Sequence, residues 1–342
     1  MKMLRETKIE KGMRVLVRCE FDCPLSKDGN ILNDHRVQVT IPTIQYLLER
    51  KAKIILMSHL DRPKGKVVEN LRLTPFADCL FRYLNFPVSK ASDCIGEDIK
   101  KMTEEMRAGE MLLLENLRFH PGEEENDDSF AKRLASLGDI FINDAFGVCH
   151  RKHASVVGVS KYLPSLAGLS LEGEVRVMTQ ILETPERPLV VVLGGVKTET
   201  KIPVIRKFLD IADYVLVGGK IASEVNFFHP KLFLAIDFAR EGLDIGPKTQ
   251  NKFKKIISKA KTIVLNGPMG YFEKSEFDEG TKEIIKAISR NNRGFKVAGG
   301  GETLLAIFKY GFQGGFDFLS TGGGAMLKFL AGEKLPGLEA LE

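Results

Sequence analysis

The chain has 342 residues, 44% of them hydrophobic and 28% charged, with a net charge of +5. That length exceeds one ordinary core and suits two domains of similar size. No apolar run is long enough to span a bilayer, the charged segment 1–11 lacks the apolar core of a secretion signal, and no Lys/Arg run is interleaved with aromatics, so membrane and nucleic-acid roles are disfavoured and a cytoplasmic binder of small anions is expected.

In chain order, short aliphatic runs that stop abruptly at Gly or polar residues predict strands over 14–19, 54–57, 111–114 and 140–142, then over 189–193, 214–217, 262–265, 295–298 and 316–319. Helical patterns lie between them, as at 43–50, 129–137 and 252–259. Continuous apolar strands alternating with helices imply parallel sheets covered on both faces. Two such series imply an α/β chain of two doubly wound parallel-sheet domains joined by a hinge helix over 169–182. The expected division is 1–165 and 166–320. The remainder, 321–342, is a Gly-rich turn, a short helix and a Pro-containing tail returning toward the N-terminal domain. Cys19, Cys23, Cys79, Cys94 and Cys149 contain no CxxC and read as reduced thiols, with no second close pair to build a zinc site.

Ligands of open parallel sheets bind beyond the carboxyl ends of the strands. In the first half those ends carry Glu20, Asp22, His59, Arg62, Arg118 and Asp144, with Arg36, Arg151 and His153 in adjoining segments. Singly, each arginine reads as a surface or salt-bridged residue. As a set they suit a substrate bearing carboxylate and phosphate, which arginine grips with a two-pronged fork. In the second half the strand ends are Gly194-Gly195, Gly218-Gly219, Asn266-Gly267-Pro268, Gly299-Gly300-Gly301 and Gly322-Gly323-Gly324. Glycines that open a helix let backbone N–H groups approach phosphate oxygens. Lys197 and Lys201 follow the first of these turns, where a lysine can neutralise a phosphoryl group in transfer. Glu302 stands at a helix start, where a carboxylate either caps the helix or holds Mg2+. Neither GxxxxGK[ST] nor GxGxxG occurs there, which argues against a Walker-type ATPase and a Rossmann dehydrogenase.

Taken together, the segments 18–24 (RCEFDCP), 58–65 (SHLDRPKG), 115–120 (ENLRFH), 143–155 (NDAFGVCHRKHAS), 194–202 (GGVKTETKI), 243–249 (LDIGPKT), 266–273 (NGPMGYFE), 299–303 (GGGET) and 320–325 (STGGGA) resemble the phosphoglycerate kinases, in family order and over nearly the whole chain. The resemblance implies that Glu20, Asp22, Arg36, His59, Arg62, Arg118 and Arg151 line a 3-phosphoglycerate site. It implies that Gly195, Lys197, Lys201, Gly219, Asn266, Pro268, Gly301, Glu302 and Thr303 hold ATP or ADP, with Glu273 accepting from the ribose hydroxyls and Glu302 in the place of the magnesium-linked aspartate. Direct in-line transfer to or from 1,3-bisphosphoglycerate is implied. The charge in flight would be stabilised by Arg36, Lys201, Mg2+ and the helix starts at Gly300 and Gly323. A same-fold kinase of another small carboxylate and a non-catalytic nucleotide-binding homologue are the alternatives.

Several positions depart from the family pattern. Glu20 and Asp22 replace its Asp and Asn, Glu302 its Asp, and Asp61 a glycine. Asp22 adds a negative charge beside an anionic substrate, which predicts weaker binding unless Arg18 or Arg36 offsets it. The stretch 220–242 is short, with one strand-like run at 232–236, so part of one α/β layer is expected to be missing. A monomer is expected, although an apolar face left bare there would call for a partner subunit.

Overall fold

The computed structural model describes residues 1–196 and 198–342. It divides into two compact units, Met1–Val175 with Lys334–Glu342, and Arg176–Glu333.

In the first unit, six parallel strands run β1 (Arg14–Arg18), β2 (Lys53–Met57), β3 (Ser89–Lys90), β4 (Met111–Leu113), β5 (Ile140–Asn143) and β6 (Ser165–Ala167), in the sheet order β3-β4-β2-β1-β5-β6. Alternation along each strand divides the core. Val15, Val17, Ile54 and Leu56 face one side, with Val37, Ile44 and Leu47 of α1 (His35–Glu49) and Phe76 and Leu80 of α2 (Thr74–Leu84). Leu16, Ile55 and Phe141 face the other, with Ile99 of α3 (Glu97–Glu105) and with Phe130 and Leu134 of α5 (Asp128–Ala135), which follows the short α4 (Pro121–Glu125). A period of two along the strand thus produces two covered faces. Helix α1 begins two turns before the periodic run at 43–50 and carries Pro42 inside it.

The chain enters the second unit through α6 (Leu169–Glu183), within which the division falls. Asp144, just beyond β5, is fully wrapped at this helix's start. Its Oδ1 accepts from Ser170 N at 2.9 Å and Leu171 N at 3.2 Å. Burial outweighs these bonds and raises its carboxyl to about 7.

The second sheet contains β7 (Leu189–Leu193), β8 (Tyr214–Val217), β9 (Leu232–Leu234), β12 (Thr262–Asn266), β13 (Phe295–Gly299) and β14 (Phe318–Ser320), all parallel, in the order β14-β13-β12-β7-β8-β9. A small antiparallel ribbon, β10 (Phe238–Ala239) with β11 (Asp244–Ile245), lies beside it in sequence. Val190, Val192, Ile263 and Leu265 pack under Phe253 of α8 (Pro247–Ile257), Ile284 and Ile288 of α9 (Glu279–Ser289) and Ile307 of α10 (Gly301–Lys309). Helix α7 (Thr198–Ile211) covers β7 and β8 and meets α11 (Gly323–Leu330). A final short helix, α12 (Pro336–Glu339), returns to the first unit, where Gly337 N donates to Cys149 O at 2.8 Å.

The shortened stretch has a visible consequence. A parallel crossover ordinarily needs a helix. Between β8 and β9 the described residues form only a 3-10 turn, Lys220–Ser223, and Phe228 there is 90% exposed. Among the described residues no helix is long and apolar enough to cross a membrane. All five cysteines are free and buried.

Candidate functional site

Each sheet reverses its winding direction once. In the first unit this happens between β1 and β5, and in the second between β7 and β12. A crevice opens beyond such a switch point.

In the first unit, Glu20 and Asp22 leave the end of β1. Glu20 is buried, and its Oε2 accepts from Gly147 N at 2.8 Å. A Cβ on Gly147 would overlap that carboxylate, so any larger residue there would displace Glu20 from its present seat. Burial raises the Glu20 pKa, partly offset by Arg36 and the Gly147 N–H. Arg36, in the first turn of α1, places Nη1 3.6 Å from Glu20 Oε1 and 3.5 Å from Asp22 Oδ2. Arg36 therefore does offset the extra charge of Asp22. Burial works against that charge too, yet His59, Arg36 and the Asp61 N–H, which donates to Oδ1 at 2.8 Å, together hold the Asp22 carboxyl below the usual range. Asp61 has φ +51, a left-handed conformation, which gives a physical reason for glycine at this place.

Asn116 organises the neighbouring loops. Its Oδ1 accepts from Leu60 N and from Arg118 N, each at 3.1 Å, and its Nδ2 donates to Leu60 O at 2.9 Å. It thereby caps the 3-10 turn Leu117–Phe119 and presents Arg118. Arg118 is 2% exposed. Its Nη1 donates to Asp61 O at 2.6 Å, and Nε lies 3.3 Å from Glu124 Oε1. Its Nε and Nη2, together with Nε of Arg151, are buried without a hydrogen-bond partner. Burial, then repulsion from Arg151, lower the Arg118 pKa from 12.5 to about 10. A cationic pair with buried donors that lack hydrogen bonds is suited to receive an anion. Arg62 is exposed on the loop after β2 and makes no hydrogen bond or ion pair with this group.

In the second unit, Gly194 and Gly195 end β7, and Gly195 has φ +95. Lys201, from the first turns of α7, is 7% exposed. Its Nζ donates to Gly194 O and lies 3.4 Å from Asn266 O, which ties the ends of β7 and β12 together. Asn266 Nδ2 donates to Gly299 O at 2.7 Å, and Gly267 N donates to Thr303 Oγ1 at 2.7 Å. A Cβ on Gly219 would lie 2.8 Å from Gly195 N and 3.2 Å from Pro268 O, so these turns are in close approach. A Cβ on Gly323 would come within 3.0 Å of Gly300 Cα. The starts of α10 and α11 therefore converge, each offering unpaired N–H groups at its positive end. Glu302 is exposed in the first turn of α10, and Gly301 beside it is open. Glu273 is exposed after β12 and hydrogen-bonds to none of these groups. Lys197 lies outside the described residues.

Sequence reasoning assigned no role to Gly147 or to the buried Glu123–Ser155 pair, whose carboxylate accepts from Ser155 Oγ at 2.6 Å and Ser155 N at 2.9 Å. Nothing in a one-dimensional pattern brings these residues together. Elsewhere, ligand atoms of Asp93, Cys94 and His120 lie within 4.8 Å of one another, but His120 Nε2 and Asp93 Oδ1 already share a 2.6 Å hydrogen bond.

Two parallel sheets, one ending in buried arginines and the other in converging helix starts, define a small-molecule phosphotransferase. The comparisons narrow this. The family model "Phosphoglycerate kinase" matches residues 5–232 and 232–333. The chain is 41% identical to the phosphoglycerate kinase of Dictyoglomus turgidum over 382 aligned positions, covering 97% of this chain and 96% of that protein. It is also 41% identical to that of Aquifex aeolicus over 392 positions, covering 100% and 98%. The crystal structure of phosphoglycerate kinase from Pyrococcus horikoshii superposes with a TM-score of 0.89 at 32% identity, covering 100% of this chain and 98% of that one. The chain belongs to the phosphoglycerate kinase family, phosphotransferases with a carboxyl group as acceptor. The alignments run longer than the chain itself because it lacks segments that its relatives carry.

Proposed function

We propose that the acid substrate binds at the sheet end of the first unit and the nucleotide at that of the second, with residue roles as follows. Arg118 and Arg151 hold the phosphate of 3-phosphoglycerate, assisted by Arg62, while His59 and Arg36 face its carboxyl end. Glu20 and Asp22 orient Arg36. Gly195, Lys197, Gly219, Asn266, Pro268, Gly301 and Thr303 shape the seat of ATP or ADP, and Glu273 accepts from the ribose. The nitrogens of Arg118 and Arg151 that are buried without a hydrogen bond, Arg118 Nη2 above all, are the observation that carries this reading.

In the direction that makes ATP, the bond from the acyl oxygen to phosphorus breaks as one from an ADP β-phosphate oxygen forms, and the carboxylate leaves with its electron pair. No enzyme group need be phosphorylated. Arg36, Lys201 and the helix starts at Gly300 and Gly323 offer positive charge to the group in transfer. Glu302 is an exposed carboxylate without a partner among the described residues, so its oxygens suit Mg2+, and we assign it as the residue that would hold the ion. When bound, Mg2+ neutralises charge on the nucleotide phosphates. The residues of both substrate seats belong to one chain, so the proposed reaction needs no second subunit, and the proposal takes a monomer working in the cytoplasm.

The test is equilibrium titration with 3-phosphoglycerate and, separately, with glycerate. The proposal expects glycerate, which lacks the phosphate, to bind at least tenfold more weakly. Equal affinity would remove Arg118 and Arg151 from the phosphate site.

A further inference from the structure

We infer that Arg18 is a positioning residue that sets the tautomer of His59, so that the ring turns an N–H, not a lone pair, toward Asp22 and the acid-binding end of the first sheet. The geometry stands by itself; its consequence for the acid rests on the function proposed above.

Arg18 is the last residue of β1 and is fully buried. Its Nε donates to Ser155 Oγ at 2.8 Å, its Nη1 to Cys19 O, and its Nη2 lies 3.0 Å from His59 Nδ1. A guanidinium has only donors and keeps its charge at any working pH. Nδ1 must therefore accept. A neutral imidazole has one acceptor nitrogen, so the proton resides on Nε2, which faces Asp22 Oδ2 at 3.6 Å. Protonating the ring would set one N–H against another at Nδ1.

The charged groups acting on the ring are Asp22 beyond β1, Arg18 on β1 and Arg118 from the 3-10 turn Leu117–Phe119. Burial and the two arginines outweigh Asp22 and lower the His59 pKa to about 3, so the ring stays neutral. Arg18 itself is held from behind. Ser155 Oγ accepts from it while donating to Glu123 Oε1, and Glu123 is a buried carboxylate whose Oε1 lies 3.7 Å from His153 Nδ1. The chain Glu123–Ser155–Arg18–His59–Asp22 thus links a buried carboxylate and a buried guanidinium to one defined N–H at the site. The ring thus adds no lone pair to the negative charge that Asp22 already places there.

The experiment is two-bond 1H–15N spectroscopy of the protein labelled with 15N-histidine, from pH 5 to 8, with His59 assigned by its loss in His59→Gln. The wild type is expected to show the Nε2–H pattern without titration. Arg18→Lys keeps the charge but not the fork. It is expected to give a mixed tautomer or a ring that titrates in this range, and to raise KM for 3-phosphoglycerate roughly tenfold, with kcat changed less than about twofold. An Nδ1–H pattern or a titrating His59 in the wild type overturns the inference, and this result does not need Arg18→Lys to fold. Arg18→Lys with unaltered His59 signals overturns it equally. Wild-type protein that shows the Nε2–H pattern but binds no 3-phosphoglycerate would instead remove the acid-site reading and leave the tautomer assignment standing.

Discussion

Replacing Arg118 by methionine separates a binding arginine from a structural one. Two of its nitrogens, Nε and Nη2, are buried with no hydrogen bond. A charge-assisted hydrogen bond contributes about 1.5–3 kcal/mol, so losing two weakens acid binding by at least about 3 kcal/mol, roughly a hundredfold in Kd. Stability moves differently. The fall of the Arg118 pKa from 12.5 to about 10 corresponds to a penalty on the order of 3 kcal/mol on the charged form, which methionine relieves. Against that, the bond to Asp61 O is lost, about 1–3 kcal/mol. The contact with Glu124, whose side chain is 38% exposed, contributes little. The two effects nearly cancel. Calorimetric titration with 3-phosphoglycerate is expected to show the hundredfold loss, while the melting temperature of the ligand-free protein stays within a few degrees or rises. A variant that melts much lower yet binds the acid normally would refute the argument, because Arg118 would then be part of the framework and not of the site.

Three further outcomes are expected. Lys201→Met should lower kcat at least about a hundredfold while nucleotide Kd, measured by equilibrium titration, changes only a few-fold; a pure binding defect would contradict its role on the group in transfer. Gly323→Ala should push the starts of α10 and α11 apart, destabilise the protein by about 1–3 kcal/mol in urea melts and reduce the stabilisation conferred by ADP; an unchanged melt would mean the approach to Gly300 is relaxed without consequence. Asp144 titrates near 7 in the native protein and near 3.8 as a free side chain. The native state therefore binds the extra proton, and stability falls as pH rises from about 4 to about 7, by up to about 4 kcal/mol. Asp144→Asn keeps an oxygen for Ser170 N and Leu171 N and should flatten that slope in urea melts at pH 5 and 7.5; an unaltered slope would locate the titration elsewhere.

Much of the fold was legible because it rests on short-range pattern. The runs at 189–193 and 214–217 coincide with β7 and β8, since a strand buried on both faces must be apolar throughout. The two-residue β3 carries no comparable run, and pairing with β4 alone defines it, whereas β9 falls inside the strand-like run at 232–236. Pro42 and Pro203 sit inside α1 and α7, where a one-dimensional reading takes proline as a stop. At the site, the glycine turns announced themselves by composition. That Lys201 lies on the carbonyls of Gly194 and Asn266, that Gly147 seats Glu20, and that Arg18 reaches His59 across 41 positions of sequence follow from which strands are adjacent, and no local pattern encodes that.

The central claim is that one chain brings an acid and a nucleotide together for phosphoryl transfer. The most direct measurement is phosphorylation of 3-phosphoglycerate by ATP, coupled to NADH consumption, with and without Mg2+ and with Lys201→Met alongside. The account predicts robust turnover that requires Mg2+ and collapses in the variant. Wild-type protein that binds both substrates but transfers nothing, or Lys201→Met that turns over as fast as wild type, would contradict it.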